Sequence, residues 1–228
     1  MTRLLRLSVA LSIGSFLVAC SAYVAHAGSL VGDRTSFEGG RSHAGENIDS
    51  DLPATEHISN IGSKVDGAGM CVMSSVEMCF LFVGEEGMRG LRDWCALDEG
   101  GGWPEKTDQQ IQAFCAQKKI KVPPYIQYEG KDPGPLIDAA LKSGRMIGIT
   151  YGWSPRYPGA SYIAHMTNCV KFSGRFAVVL DNNFIDAKES KYEWMDKEEL
   201  IRRTKYPTTT AWVFVPLSPP PPPSPRNK

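Results

Sequence analysis

Cys71 is the residue in this sequence best placed to do covalent chemistry. It stands in Gly67-Ala68-Gly69-Met70-Cys71-Val72-Met73-Ser74-Ser75, where a small-residue turn runs into an apolar segment. Gly67 and Gly69 permit tight or positive-φ backbone. From Met70 to Val83 the polar residues are Ser74, Ser75 and Glu77, which reads as a helix buried on most sides. A cysteine in the first turn of such a helix meets free N–H groups and the positive end of the helix dipole, and both favour the thiolate. The same residue type is equally at home as a small buried hydrophobe. The reading therefore turns on a base.

That base must be near in space, not in sequence. Beyond Ala27 the chain has three histidines: His43, His57 and His165. His43 lies in a polar linker. His57 lies just ahead of the cysteine helix, either as a surface residue or behind the site. His165 sits in an apolar strand, where a histidine is most often a hydrogen-bonded core residue, but its hairpin partner singles it out. With Ser173-Gly174 as a two-residue turn, Phe172 pairs with Arg175 and His165 falls opposite Asn182. A three-residue loop puts it opposite Asp181 instead, and a bulge also reverses the choice. Either residue can accept the proton of one imidazole nitrogen and leave the other for the thiol. Both are also ordinary turn residues. Because side chains alternate along a strand, only one of them shares the face of His165.

The elements that must position these residues follow in order. Leu91 to Ala96 reads as a short helix, and Gly100-Gly101-Gly102 as a flexible loop. Thr107 and Gln110 form a capping box for a helix to about Lys119. Val122 to Ile126 is extended. Pro135 opens a helix through Lys142 that Gly144 ends. Strands follow at Arg145 to Tyr151, Tyr162 to Phe172 and Arg175 to Asp181. Asp196 and Glu199 cap a helix to about Arg203, and Thr210 to Val215 is a last strand. Helices first and antiparallel strands after predict an α+β domain.

At this point the order Cys71, His165, Asp181 or Asn182 resembles the papain-like cysteine peptidases. Val179-Leu180-Asp181-Asn182-Asn183-Phe184 is similar to the strand that ends in Asn-Ser-Trp in that superfamily. Placing the third role on Asp181 is instead similar to the bacterial double-glycine leader peptidases. Tyr192-Glu193-Trp194-Met195, a helix and Ala211-Trp212-Val213-Phe214-Val215 resemble the end of such bacterial domains. The resemblance implies a nucleophile helix packed on an antiparallel sheet, with residues 53–217 as the catalytic domain. It implies a cysteine hydrolase, peptidase or amidase, acting on a peptide-like amide and needing no cofactor. Two departures stand out. Val65 occupies the position, six before the cysteine, where those families carry Gln, and Val-Met-Ser-Ser follows Cys71 in place of Gly-Ser-Cys-Trp. The Cys71 N–H is one oxyanion donor; Asn60 and Ser63 are candidates for another, and spacing assigns neither. The missing Gln also keeps open a non-catalytic papain-like binding module tethered at the cell surface. Trp153 and Tyr157, in the loop before His165, are candidates for an apolar cleft wall.

The ends carry different information. Arg3 and Arg6 precede an apolar run from Leu7 to Val18, the pattern of an export signal over residues 1–27. Leu17-Val18-Ala19-Cys20 resembles a lipobox, which would lipidate Cys20 and anchor the chain to a membrane; Ala25-His26-Ala27 fits ordinary secretion. The balance leans to the lipoprotein. Residues 28–52 read as a tether, and 218–228 as a proline-rich tail with polyproline II at Pro219 to Pro223. Of six cysteines, four remain once Cys20 and Cys71 are set aside, enough for two disulfides or four buried thiols. No CxxC or Cys/His cluster has metal spacing. A formal net charge of zero and no basic stripe exclude an electrostatic nucleic-acid surface. Export predicts that intact-mass measurement on protein from a bacterial host finds residues 1–19 or 1–27 removed, the former with a lipid on Cys20. A product retaining Met1 overturns it.

Overall fold

The computed structural model describes residues 57–60, 70–96, 102–157, 159–183 and 192–219. The leader with Cys20, the tether, Ser63, Val65, Gly67, Gly69 and the proline run from residue 220 lie outside them. Within them the chain is α+β, a six-stranded sheet with five α-helices. In chain order these are α1 (Met70–Phe82), a 3-10 turn (Glu86–Met88), α2 (Leu91–Cys95), α3 (Pro104–Lys118), β1 (Tyr125–Gly130), α4 (Gly134–Lys142), β2 (Ile147–Tyr151), β3 (His165–Ser173), β4 (Phe176–Leu180), β5 (Tyr192–Asp196), α5 (Lys197–Thr204) and β6 (Ala211–Pro216). The strands lie in the order β1-β6-β2-β3-β4-β5, and every pairing is antiparallel.

Helix α1 is buried along its length from Met70 to Phe80, as its apolar run predicts. It packs on β3, β2 and β6. Phe80 meets Phe214 of β6 edge-on at 5.3 Å, and Tyr125 of β1 stacks on the same ring at 5.1 Å. Cys71, Val72, Val76 and Cys79 share one apolar cluster with Leu91, Phe114, Met166 and Phe214, which joins α1, α2 and α3 to the sheet. The second cluster brings Ile137 and Leu141 of α4 and Leu200 of α5 onto Ile147, Ile149, Val179 and Val213. Alternate strand residues thus serve two covered faces, with α1 in one layer and α4 and α5 in the other.

Two helix starts differ from the sequence expectation. The α3 helix begins at Pro104 with Trp103 as N-cap, and Thr107 is buried inside it; proline's fixed φ opens the helix one turn before the expected cap. Asp196 does take the N-cap position of α5, but its side chain makes no cap bond. Its carboxylate goes to Arg175, and Glu199 goes to Arg202 and Arg203. Strand β5 was foreshadowed in the sequence only by the resemblance; its residues form the edge against β4. Cys79, Cys95, Cys115 and Cys169 are buried and in no disulfide. Among the described residues no helix is long and apolar enough to cross a membrane.

One buried carboxylate side chain locks α1 to its neighbour. Glu77 of α1 accepts the backbone N–H groups of Gly90 and Arg92, each at 2.7 Å, at the start of α2. Burial holds its carboxyl above the ordinary glutamate range despite those two donors. Glu77→Ala strands both N–H groups in the interior and should cost about 2–4 kcal/mol, read as a lower denaturant midpoint at unchanged slope; a loss below about 0.5 kcal/mol would show that the lock is idle.

Candidate active site

Cys71 is the second residue of α1, 5 % exposed. Its Sγ lies 3.9 Å from the carbonyl oxygen of Ala164, at the residue before β3. That places it beside His165, the first residue of β3, whose imidazole draws the thiol toward its charged form. The other side of the ring is fixed by Asp181, whose Oδ1 is 2.7 Å from His165 Nε2. Nδ1 is thereby left for the thiol. Sulfur, imidazole and carboxylate form one buried chain.

Electrostatics favour the charged form of that chain. Burial alone pushes the Cys71 thiol up, but the hydrogen bond and charge of His165, with the N–H groups of Met166 and Val72, bring it below the ordinary thiol range. For His165 burial favours the neutral ring, and the hydrogen bonds and charges of Asp181 and Cys71 overcome it, so its pKa rises. Burial likewise opposes ionisation of Asp181, yet His165, the Asn183 N–H and Arg156 hold its carboxyl below the usual range. These shifts favour a thiolate–imidazolium pair, which exists above the lowered Cys71 pKa and below the raised His165 pKa.

The register of the hairpin decides which residue meets His165, and it differs from the expectation. Ser173 pairs with Phe176, so the two-residue turn is Gly174-Arg175, with Gly174 at φ +59° as the first position of a type II′ turn demands. Moving the turn by one residue shifts each pairing by two and leaves the faces unchanged. The bulge does otherwise. Cys169 pairs with Val179 but Lys171 with Val178, so Val170 is an extra residue in β3. One extra residue swaps the faces beyond it. Asp181 therefore turns to His165.

Asn182 turns to the nucleophile helix. Its Nδ2 donates toward Cys71 O at 3.0 Å, Ser75 Oγ at 2.9 Å and Met166 O at 3.0 Å. Consecutive residues thus grip the two halves of the site, Asp181 the imidazole of His165 and Asn182 the backbone of Cys71.

Further groups around Asp181 were not legible in the sequence. Its Oδ1 also accepts the Asn183 N–H at 2.9 Å. Its Oδ2 faces Tyr157 Oη at 3.3 Å, Tyr151 Oη at 3.4 Å and an Arg156 nitrogen at 4.0 Å. Burial, then the Asp181 charge, raise both phenols, which stay protonated and can donate. Tyr151 also lies 3.5 Å from Glu193, and Glu193 is held by Ser154 and, at 2.5 Å, by Arg203 of α5. Tyr157 packs its edge on the His165 ring, whereas Trp153 faces Arg202 and Arg203 on α5. Of the candidate wall residues, Tyr157 alone makes contact with the Cys71–His165–Asp181 chain. Asn60 is buried, with its N–H on Asn182 O at 2.8 Å. Among the described residues no group of three or more His, Cys, Asp or Glu is arranged to hold a metal.

Replacing Asp181 by Asn keeps its shape but removes the charge that holds the imidazolium. Cys71 alkylation by iodoacetamide in Asp181→Asn should then need a pH about one unit or more higher than wild type. Asn182→Ala should act first on stability, by about 1–3 kcal/mol. An unshifted profile in Asp181→Asn would remove the carboxylate from the site. Comparison with protein-family models and with curated proteins finds no match for this chain.

Proposed function

We propose that the protein is a cysteine hydrolase of peptide-like amides, with a papain-like arrangement in which Cys71 is the nucleophile, His165 the acid and base, and Asp181 the residue that orients His165. The observation that carries the reading is the buried His165–Asp181 hydrogen bond beside Cys71, whose sulfur sits at the start of a helix and 3.9 Å from the carbonyl of the residue before His165. Three titratable groups of the right types, each shifted toward the charged form a thiol nucleophile needs, are a costly arrangement for a merely structural core. The Asp-type third member favours the likeness to double-glycine leader peptidases over the Asn-type papains. Export, with lipid anchoring at Cys20, belongs to the same proposal.

The mechanism follows from what each atom can do. The Cys71 thiolate attacks the amide carbonyl carbon, and negative charge develops on the carbonyl oxygen. The Cys71 N–H, in the first turn of α1, has no intrahelical partner and is available to that oxyanion. Protonated His165 then gives its proton to the leaving nitrogen as the C–N bond breaks, leaving a thioester on Cys71 and a neutral imidazole. Water attacks the thioester with His165 as base, the C–S bond breaks, and carboxylic acid and free thiolate are restored. An amine in place of water gives transamidation by the same steps. Throughout, Asp181 holds the ring tautomer through Nε2, and Tyr151, Tyr157 and Arg156 keep its charge stabilised while His165 is neutral.

An activated ester separates this chemistry from binding alone. With p-nitrophenyl acetate the protein should release a burst of p-nitrophenol and carry the acetyl group on Cys71, located by peptide mass. On denatured casein it should cleave peptide bonds with a bell-shaped kcat/KM profile, rising as the thiolate forms and falling as His165 loses its proton. Cys71→Ser and His165→Ala should each lower the rate by about 10³-fold or more. A wild-type thiol that is not acetylated faster than Cys95 or Cys169 in the same molecule would point to the binding module instead.

A further inference from the structure

The carboxylate of Asp181 is only as well placed as its own peptide, and the sheet does not hold that peptide. The β3–β4 ladder ends at Asn168 with Leu180, and the β4–β5 ladder at Tyr192 with Leu180. Asp181 and Asn182 lie just beyond, with carbonyls that a regular strand would have paired. The segment 57–60 takes them. His57 Nε2 is 2.7 Å from Asp181 O, the Asn60 N–H is 2.8 Å from Asn182 O, and Ser59 Oγ is 3.5 Å from the same oxygen. The Ile58 N–H meets Met78 Sδ at 3.2 Å, so the segment is tied to α1 as well. A peptide carbonyl only accepts, so Nε2 of His57 carries the proton in this contact.

We propose that His57 is a positioning residue for the Cys71–His165–Asp181 chain, acting through its hydrogen bond to the carbonyl of Asp181; the assignment rests on the hydrolase reading above. His57 touches none of the reacting atoms. The groups that face the Asp181 side chain, namely His165 from β3, Tyr151 from β2, Arg156 and Tyr157 from the following loop and the Asn183 N–H, hold the carboxylate. Glu193 lies beyond them, across Tyr151. His57 holds the peptide from which that carboxylate springs. Catalytic groups tolerate displacements of only about 0.5 Å, and a peptide released from the ladder and from His57 has more freedom than that. A drifting Asp181 loosens its grip on the imidazolium, which in turn weakens the thiolate. The consequence is a Cys71 titration shifted upward, toward the ordinary thiol.

The test reads Cys71 alkylation by iodoacetamide across pH in the full chain, by mass of the Cys71 peptide, so it needs no substrate. His57→Leu keeps an apolar body of similar size but has no donor. It should shift the titration up by about one pH unit and slow alkylation on the acid limb by about tenfold. His57→Gln, whose side-chain amide can donate to the same carbonyl, should recover the rate to within about threefold of wild type. Both variants are compared under conditions where circular dichroism shows them folded, and a purely structural loss would lower stability without moving the titration. A low wild-type titration that is unchanged in His57→Leu, or a His57→Gln as impaired as His57→Leu, overturns the assignment alone. A wild-type Cys71 that titrates as an ordinary thiol overturns the hydrolase reading and the assignment together.

Discussion

A carboxylate without solvent must find a donor for each of its lone pairs, and Asp181 imposes that demand on its surroundings. It is 0 % exposed, and an unpaired charge at such a place would cost several kcal/mol. His165, the Asn183 N–H, Tyr151, Tyr157 and Arg156 converge on its two oxygens for that reason. The loop from Gly152 to Ala164, poor in regular structure, is shaped by the same need, since it brings Arg156 and Tyr157 to the carboxylate. The thiolate of Cys71 is the far end of this arrangement. It gains its stability from an imidazolium that the ionised Asp181 in turn stabilises.

The demand extends past the site. Tyr151 has one phenolic proton and two carboxylates in reach, Asp181 and Glu193. Arg203 and Ser154 already serve Glu193. Arg203 also contacts Glu199 and the face of Trp153, so α5 is linked to the imidazole by an unbroken run of charged and polar groups. Such networks are worth keeping only when every member is satisfied. Here they place α5, a short helix with a strongly charged exposed side, against the sheet face that carries His165.

Much of this fold was readable from residue patterns, and the exceptions have identifiable physics. The largely apolar run of α1, the Ser173–Gly174–Arg175 turn chemistry and the apolar residues of β2 and β3 are local signals, and local signals found the helix, the hairpin and the strand bearing His165. The choice between Asp181 and Asn182 depended on strand register over eight pairs. No residue type announces the extra Val170, because a bulge of this kind requires neither glycine nor proline. Thr107 and Gln110 imitated a cap that Pro104 had already made unnecessary. Glu193, Arg203 and Arg156 are ordinary surface types in a linear sequence, and what gives them a role is packing against charges from distant elements. His57 stood in the sequence as either a surface residue or a group behind the site, and only the fold brings it to the carbonyl of Asp181.

The bulge at Val170 means that the identity of the group on His165 is set by chain length and not by residue type. Acid and amide stand side by side at 181 and 182, and β3 delivers one of them to the imidazole according to whether it contains an odd residue. Removing that residue would present the amide to the base and the acid to the helix backbone, without altering either side chain. An acid-type and an amide-type site are therefore separated here by a single insertion, a step that leaves Cys71, His165, Asp181 and Asn182 all unchanged. Two lineages sharing this hairpin could exchange one chemistry for the other by slippage in a strand, and a position-by-position comparison of their active-site residues would not reveal that they had.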